Sequence, residues 1–183
     1  MSDELLVRHC SPTLAGIKTG SLFTVSHEST EGLSRDIENF NSRFGGKGIK
    51  AVALHKGKNR TMIYVYRPNE LRHNLNDPEA QTILAQCGYS DADCKNCIRK
   101  LKSRFEGTEV FPHEIGLFLG YPPEDVKGFI ENKASNYKYT GYWKVYGDVE
   151  KAKEKFNCFS KCSANYYARL QSGTEIEKLI VAC

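Results

Sequence analysis

Two runs rich in β-branched and aromatic residues, 49–55 and 61–67, flank the polar stretch Lys56-Gly57-Lys58-Asn59-Arg60. Strand-forming runs joined by so short a glycine-containing connection pair as an antiparallel hairpin. Ser21-Leu22-Phe23-Thr24-Val25-Ser26 has the same character, and residues 142–146 alternate well enough for a late strand. Most of the remaining chain is helical in pattern. The predicted fold class is therefore α+β: a small, mostly antiparallel sheet packed against several helices, in one globular domain over residues 1–183.

The helical segments follow from apolar spacing and end signals. Leu33, Ile37, Phe40 and Phe44 recur at helical intervals and stop at Gly45-Gly46. Residues 70–87 read as helix with a break at Asp77-Pro78. Residues 91–105 form a helix started by Asp91, with Ile98, Leu101 and Phe105 on one face. Short helices are expected at 4–8, 12–17, 112–119 and 123–131, the second started by Ser11-Pro12. A long helix runs from Asp148 to about Arg169, and residues 175–181 are a short helix or an edge strand.

The 183 residues are 40% hydrophobic and 26% charged, which excludes disorder as the main state. A net charge of +4 falls short of the strong basic footprint of a dedicated nucleic-acid binder. The longest apolar run, residues 115–119 broken by Gly116, is far too short to span a bilayer. The start Met1-Ser2-Asp3-Glu4 is acidic and unlike a secretory signal. A cytoplasmic location is expected, without membrane attachment. Seven cysteines, an odd number, then read as reduced thiols and not as a disulfide framework.

Four stretches carry a family resemblance. They are Arg8-His9-Cys10-Ser11-Pro12-Thr13-Leu14-Ala15-Gly16-Ile17-Lys18, Ile63-Tyr64-Val65-Tyr66-Arg67, Phe111-Pro112-His113-Glu114-Ile115-Gly116-Leu117-Phe118-Leu119-Gly120-Tyr121-Pro122 and Gly141-Tyr142-Trp143-Lys144-Val145-Tyr146. In this order the chain resembles an uncharacterised family of small proteins from clostridia and related anaerobes, a domain of unknown function. The resemblance covers nearly the whole chain. It implies a bacterial protein of anaerobic habit, in which free thiols survive, and it implies no activity and no catalytic residues.

Chemistry-bearing residues fall into five groups. Cys10 stands beside His9 at an expected helix start, where amide groups, helix dipole and imidazolium would lower a thiol's pKa. The bland alternative is a buried structural cysteine. A nucleophilic Cys10 needs a base and an orienting group, which His113 and Glu114 would supply if the fold brings them close. Neighbours on one helix point about 100° apart, so Glu114 is an awkward orienter for His113. Lys18 lies in a turn with Gly16, Thr19, Gly20 and Ser21 that could cradle a phosphate, although it lacks the pattern G-x-x-x-x-G-K-S/T and precedes a strand, and an ordinary helix-to-strand connection is the stronger reading.

His113-Glu114 at an expected helix start would favour an anionic Glu114 and a neutral His113, fit to act as a base or metal ligand or to line a pocket, beside the plainer reading of a capped helix with a satisfied histidine. The zinc motif H-E-x-x-H is absent because Leu117 occupies the fourth position. Cys94 and Cys97, and Cys158 and Cys162, each share a helical face, so four thiolates could hold zinc or an iron–sulfur cluster, or one pair could act as a redox dithiol. Lastly, residues 132–144 interleave lysine with aromatic rings, a composition that stacks bases and neutralises phosphates or grips a flat anionic cofactor. Strand alternation would place Tyr142, Lys144 and Tyr146 on one face and Trp143 in the core.

Three function classes follow. The first is a small-molecule enzyme or binding protein, for a phosphate-bearing or flat anionic ligand, whose pocket gathers Cys10, Lys18, His113, Glu114, Tyr142 and Lys144. The second is a metal or redox protein built on Cys94, Cys97, Cys158 and Cys162. The third is a module that binds nucleic acid or a protein partner. No particular cofactor is specified.

Overall fold

The computed structural model describes residues 1–26, 29–57, 59–107 and 111–182. It is α+β, with a small antiparallel sheet and a majority of helix. The chain divides into two compact units, Met1–Asn69 with Lys161–Cys183 and Glu70–Ser160. No described helix is long and apolar enough to cross a membrane.

The first unit contains α1 (Asp3–Leu14), β1 (Gly20–Ser26), α2 (Thr30–Phe44), β2 (Lys50–Lys56) and β3 (Arg60–Tyr66). The sheet order is β1-β3-β2, both pairings antiparallel. The expected hairpin is β2–β3, closed by the Gly57 N–H donating to the Arg60 carbonyl at 2.8 Å. Lys58 of its turn lies outside the described residues. β3 takes the centre because Thr61, Ile63, Tyr64 and Val65 are all buried, which suits a strand covered on both faces.

Helix α1 corrects the expectation of two short helices. It runs unbroken through Ser11-Pro12, and its N-cap is Ser2, whose hydroxyl accepts from the Leu5 N–H. Pro12 removes one helical hydrogen bond at a cost of about 3 kcal/mol. Full burial of Leu6, Val7, Cys10 and Leu14 along one stripe outweighs that cost, at roughly 1.5–3 kcal/mol for each large side chain. The Ser11 hydroxyl donates back to the Val7 carbonyl within the same turn.

The end of α1 is held by a residue whose role sequence reading misses. Arg67 is among the largest fully buried side chains. Its Nε donates to the Thr13 carbonyl at 2.9 Å and its two terminal nitrogens to the carbonyls of Leu14 at 2.6 Å and Lys47 at 3.0 Å. The guanidinium thus satisfies carbonyls left open at the helix C-terminus, where positive charge is favoured.

The second unit is mostly helical. α3 (Pro68–Leu75) leads into it, and α4 (Pro78–Gln86), α5 (Cys94–Gly107), α6 (Ile115–Phe118) and α7 (Pro123–Glu131) follow. A two-stranded ribbon, β4 (Tyr139–Thr140) and β5 (Lys144–Val145), precedes α8 (Val149–Gln171), which continues into the first unit ahead of α9 (Ile176–Leu179). The break at Asp77-Pro78 is as expected, with the Asp77 carboxylate accepting from the N–H groups of Glu79 and Ala80.

Three boundaries in this unit differ from the sequence reading. α5 begins at Cys94 because Asp93, and not Asp91, accepts from the first free amides, those of Lys95 and Asn96. The expected helix 112–119 shrinks to α6. Residues 112–114 form a turn instead, with the N–H groups of Ile115 and Gly116 donating to the carbonyls of Pro112 and His113. The expected strand 142–146 is only two residues long, because the N–H groups of Tyr146 and Gly147 donate to the Asp125 carboxylate and leave the ladder.

Candidate functional site

Each unit brings part of the candidate set together. In the first, Cys10 is fully buried inside α1. The helix-start reading of its thiol is therefore corrected: it lies two turns past the helix N-terminus, beyond the exposed amides that lower a thiol's pKa. Burial pushes the Cys10 thiol up to about 12, against smaller opposing effects of Lys18 and Ser21. Burial also brings the Lys18 ammonium down to about 8. Beside them the Thr13 and Ser21 hydroxyls share a hydrogen bond of 2.9 Å. Cys10 and Lys18 are thus neighbours, but as a protonated thiol and a desolvated amine, without the activated thiolate a nucleophile needs.

In the second unit His113 and Glu114 point to different surroundings. Glu114 is buried and forms an ion pair with the Nε of Arg104. Its carboxylate also accepts from the Tyr89 hydroxyl at 3.1 Å. Burial, and next the Glu114 charge, push the Tyr89 phenol up. Adjacent buried charges of this kind hold Tyr89, α5 and the start of α6 in place. His113 is exposed and stands among rings.

Those rings form a connected surface. Phe105 and Phe111 have centroids 5.4 Å apart, Phe111 and His113 5.8 Å, and His113 and Phe129 5.0 Å. The Lys144 ammonium lies 6.0 Å from the Phe129 centroid and 4.5 Å from that of Tyr137. Two residues singled out from sequence, His113 and Lys144, therefore both lie against the Phe129 ring. Phe111 and Tyr137 are 45% and 43% exposed, so the rings are open to a ligand.

Local structure fixes this surface. The Lys144 ammonium donates to the Ala134 carbonyl at 2.7 Å, and among the described residues it has no carboxylate partner. The loop that supplies this carbonyl holds Lys133, Ala134 and Asn136 at φ of 49°, 63° and 58°. Left-handed backbone at non-glycine residues costs of order 1 kcal/mol or more each and persists only where packing enforces it. Here it leads the chain into Tyr137 beneath Lys144. From Asn132 to Gly147 the sequence has three lysines, four tyrosines and one tryptophan, and no Asp or Glu. The field over the surface is accordingly positive.

Tyr142 belongs to a neighbouring part of the same ribbon. Its ring packs 5.6 Å from Phe156 and 5.5 Å from Phe159. It borders an open slot of about 570 Å³ with Tyr139, Gly141, Lys153, Phe156, Asn157 and Ser160. Glycine is required at 141, since a Cβ there would lie 2.3 Å from the Phe156 ring. Trp143, expected in the core, is buried with Val145, Ala152, Phe156 and Phe159, and donates to Asp125.

A separate cavity of about 610 Å³, a volume typical of small-molecule sites, is lined by Tyr121, Leu117, Asp77, Asp125, Lys151 and Lys155 among others. It includes Gly120-Tyr121-Pro122, the end of a segment singled out from sequence. Its carboxylates are largely engaged: Asp77 caps α4, Asp148 accepts from the Lys151 N–H, and Asp125 binds Trp143, Tyr146 and Gly147.

The cysteine quartet has no such geometry. Among the described residues no group of three or more His, Cys, Asp or Glu is placed to hold a metal ion, and Cys94, Cys97, Cys158 and Cys162 are no exception. The Cys97 thiol is buried and donates to the Asp91 carbonyl; burial first and Asp91 next push it up to about 12. Cys94 is also shifted up, mainly by burial. Cys158 is exposed, and Cys162 packs against the core of the first unit.

No curated protein and no solved structure matches the chain. One family model does, over residues 6–180, and so spans both units. The chain belongs to that family, described as Protein of unknown function (DUF3793).

Proposed function

We propose that this protein binds a flat, anionic ligand on the aromatic and cationic surface of its second unit. The observation that carries the reading is the position of Lys144, whose ammonium donates to the Ala134 carbonyl and lies 4.5 Å from the Tyr137 centroid and 6.0 Å from that of Phe129, a ring that His113 also contacts. A planar ring stacks on Tyr137 or Phe111 while its acidic group meets Lys144. Such contacts favour purines, pyrimidines and aromatic carboxylates over saturated sugars or acyl chains. The ammonium is fixed before binding by the Ala134 carbonyl, so little side-chain entropy is lost when the ligand arrives.

The test is a titration with AMP as the probe, comparing the natural protein with Lys144→Ala and Tyr137→Ala. Saturable binding weakened about tenfold by either substitution supports the reading, since one stack or one desolvated cation contact is worth about 1–2 kcal/mol. Affinity unchanged in both variants overturns it.

A further inference from the structure

The ribbon carries two ring–lysine pairs and a third exposed tyrosine. Tyr137 lies under Lys144. Tyr139 lies under Lys153, whose ammonium is 5.4 Å from its centroid, and Tyr142 closes the slot beside it. All three tyrosines are between 39% and 44% exposed. The two ring–lysine pairs repeat one arrangement, a part-exposed tyrosine ring for a base and a cation for the phosphate that follows, although the Tyr139 ring is also stacked 6.2 Å from Phe156. The repetition distinguishes this surface from a pocket for a single small molecule, which encloses its ligand in one place.

We infer that the ligand is a single-stranded nucleic acid, which stacks successive bases on Tyr137 and Tyr139–Tyr142 while Lys144, Lys153 and Lys138 meet its backbone. This rests on the proposed aromatic–cationic binding surface and extends it from one flat anion to a polymer of them. Stacking on exposed tyrosines requires unpaired bases, so a duplex, with its bases already stacked on one another, is refused. Residues 132 to 147 themselves contribute no acidic side chain, so carboxylates meet the ribbon only from outside this stretch, among them Glu124 beside Gly147 and Glu150 on Lys153. Lys153 also pairs with Glu150 at 2.8 Å, so its contribution is smaller than that of Lys144.

The experiment is fluorescence anisotropy with a labelled 12-nucleotide oligouridylate, the same length of duplex, and AMP as competitor. The expected result is binding of the single strand that weakens about fifteenfold between 50 and 200 mM salt, as release of counterions from about three phosphates requires. Tyr137→Ala and Tyr142→Ala, both at exposed positions, each weaken it about tenfold without loss of helical signal, and their effects multiply. If AMP binds as tightly as the oligonucleotide, or only Tyr137→Ala matters, the polymer inference is overturned and the single-ligand reading stands. Equal affinity for the duplex also overturns it. If neither probe binds, both readings fall.

Discussion

The carboxylate of Asp125 accepts the indole N–H of Trp143 at 2.7 Å, and its other oxygen accepts the backbone N–H groups of Tyr146 and Gly147 at 2.7 and 2.8 Å. One buried side chain of α7 thereby sets where β5 ends and how the ribbon is anchored. Asp125→Ala leaves three donors without an acceptor. An expected loss of about 3 kcal/mol or more follows, because each orphaned buried donor costs about 1–3 kcal/mol. Trp143 is the single tryptophan of the chain, so urea unfolding followed by its emission reads this unit directly. Asp125→Asn, which keeps one acceptor oxygen, falls between.

Glu114 and His113 are adjacent but separable. Glu114→Gln breaks a buried ion pair with Arg104 and weakens the Tyr89 contact. Its expected effect is a loss of about 1–3 kcal/mol in stability, since a charge-assisted hydrogen bond is lost while water still reaches the part-exposed Arg104 guanidinium. His113→Ala removes an exposed ring and changes stability by less than about 0.5 kcal/mol. It weakens AMP or oligonucleotide binding instead. Thermal melts and binding isotherms on the two variants check this division of roles.

The burial of Lys18 gives a pH signature. Its folded pKa of about 8 lies below the unfolded value of 10.5, so the unfolded chain holds the extra proton between those limits. This group's contribution to stability therefore rises with pH from about 8 to 10.5, and the charged form is a burden below 8. Lys18→Met is expected to be more stable than the natural protein by up to about 3 kcal/mol at pH 7, an advantage that fades toward pH 10.5. Cys10, raised from 9 to about 12, acts with the opposite sign above pH 9. Denaturant titrations at pH 7, 8, 9 and 10 on both proteins isolate the Lys18 contribution as their difference.

Thiol accessibility orders the cysteines. Cys158 is exposed on α8, whereas Cys10 is fully buried and held protonated. Alkylation of the native protein at pH 8, read by peptide mass spectrometry, is expected to modify Cys158 well before Cys10, which reacts only after unfolding. Early modification of Cys10 would contradict its placement inside α1.

Much of the fold was legible from local pattern. The β2–β3 hairpin, α2 with its stop at Gly45, the Asp77-Pro78 break and the length of α8 all follow from periodicity and punctuation that neighbouring residues carry. What escaped depends on partners distant in sequence. Pro12 reads as a helix start until the burial of Leu6, Cys10 and Leu14 shows one continuous stripe. Arg67 reads as the polar end of a strand, and the Thr13, Leu14 and Lys47 carbonyls explain its burial. Glu114 reads as an acid beside a histidine, yet Arg104 and Tyr89 claim it. The lysine–tyrosine interleaving of residues 132–144 was visible, as was Trp143 in the core. The approach of Lys144 and His113 to the same Phe129 ring was not, since it joins three segments.

The most direct measurement is an amide-resolved NMR titration of the natural protein with AMP. The account predicts shifts concentrated at His113, Phe129, Tyr137 and Lys144, saturating with a single affinity. Shifts centred instead on Gly120, Tyr121 and Lys151 around the 610 Å³ cavity, or no shifts at millimolar probe, would contradict it.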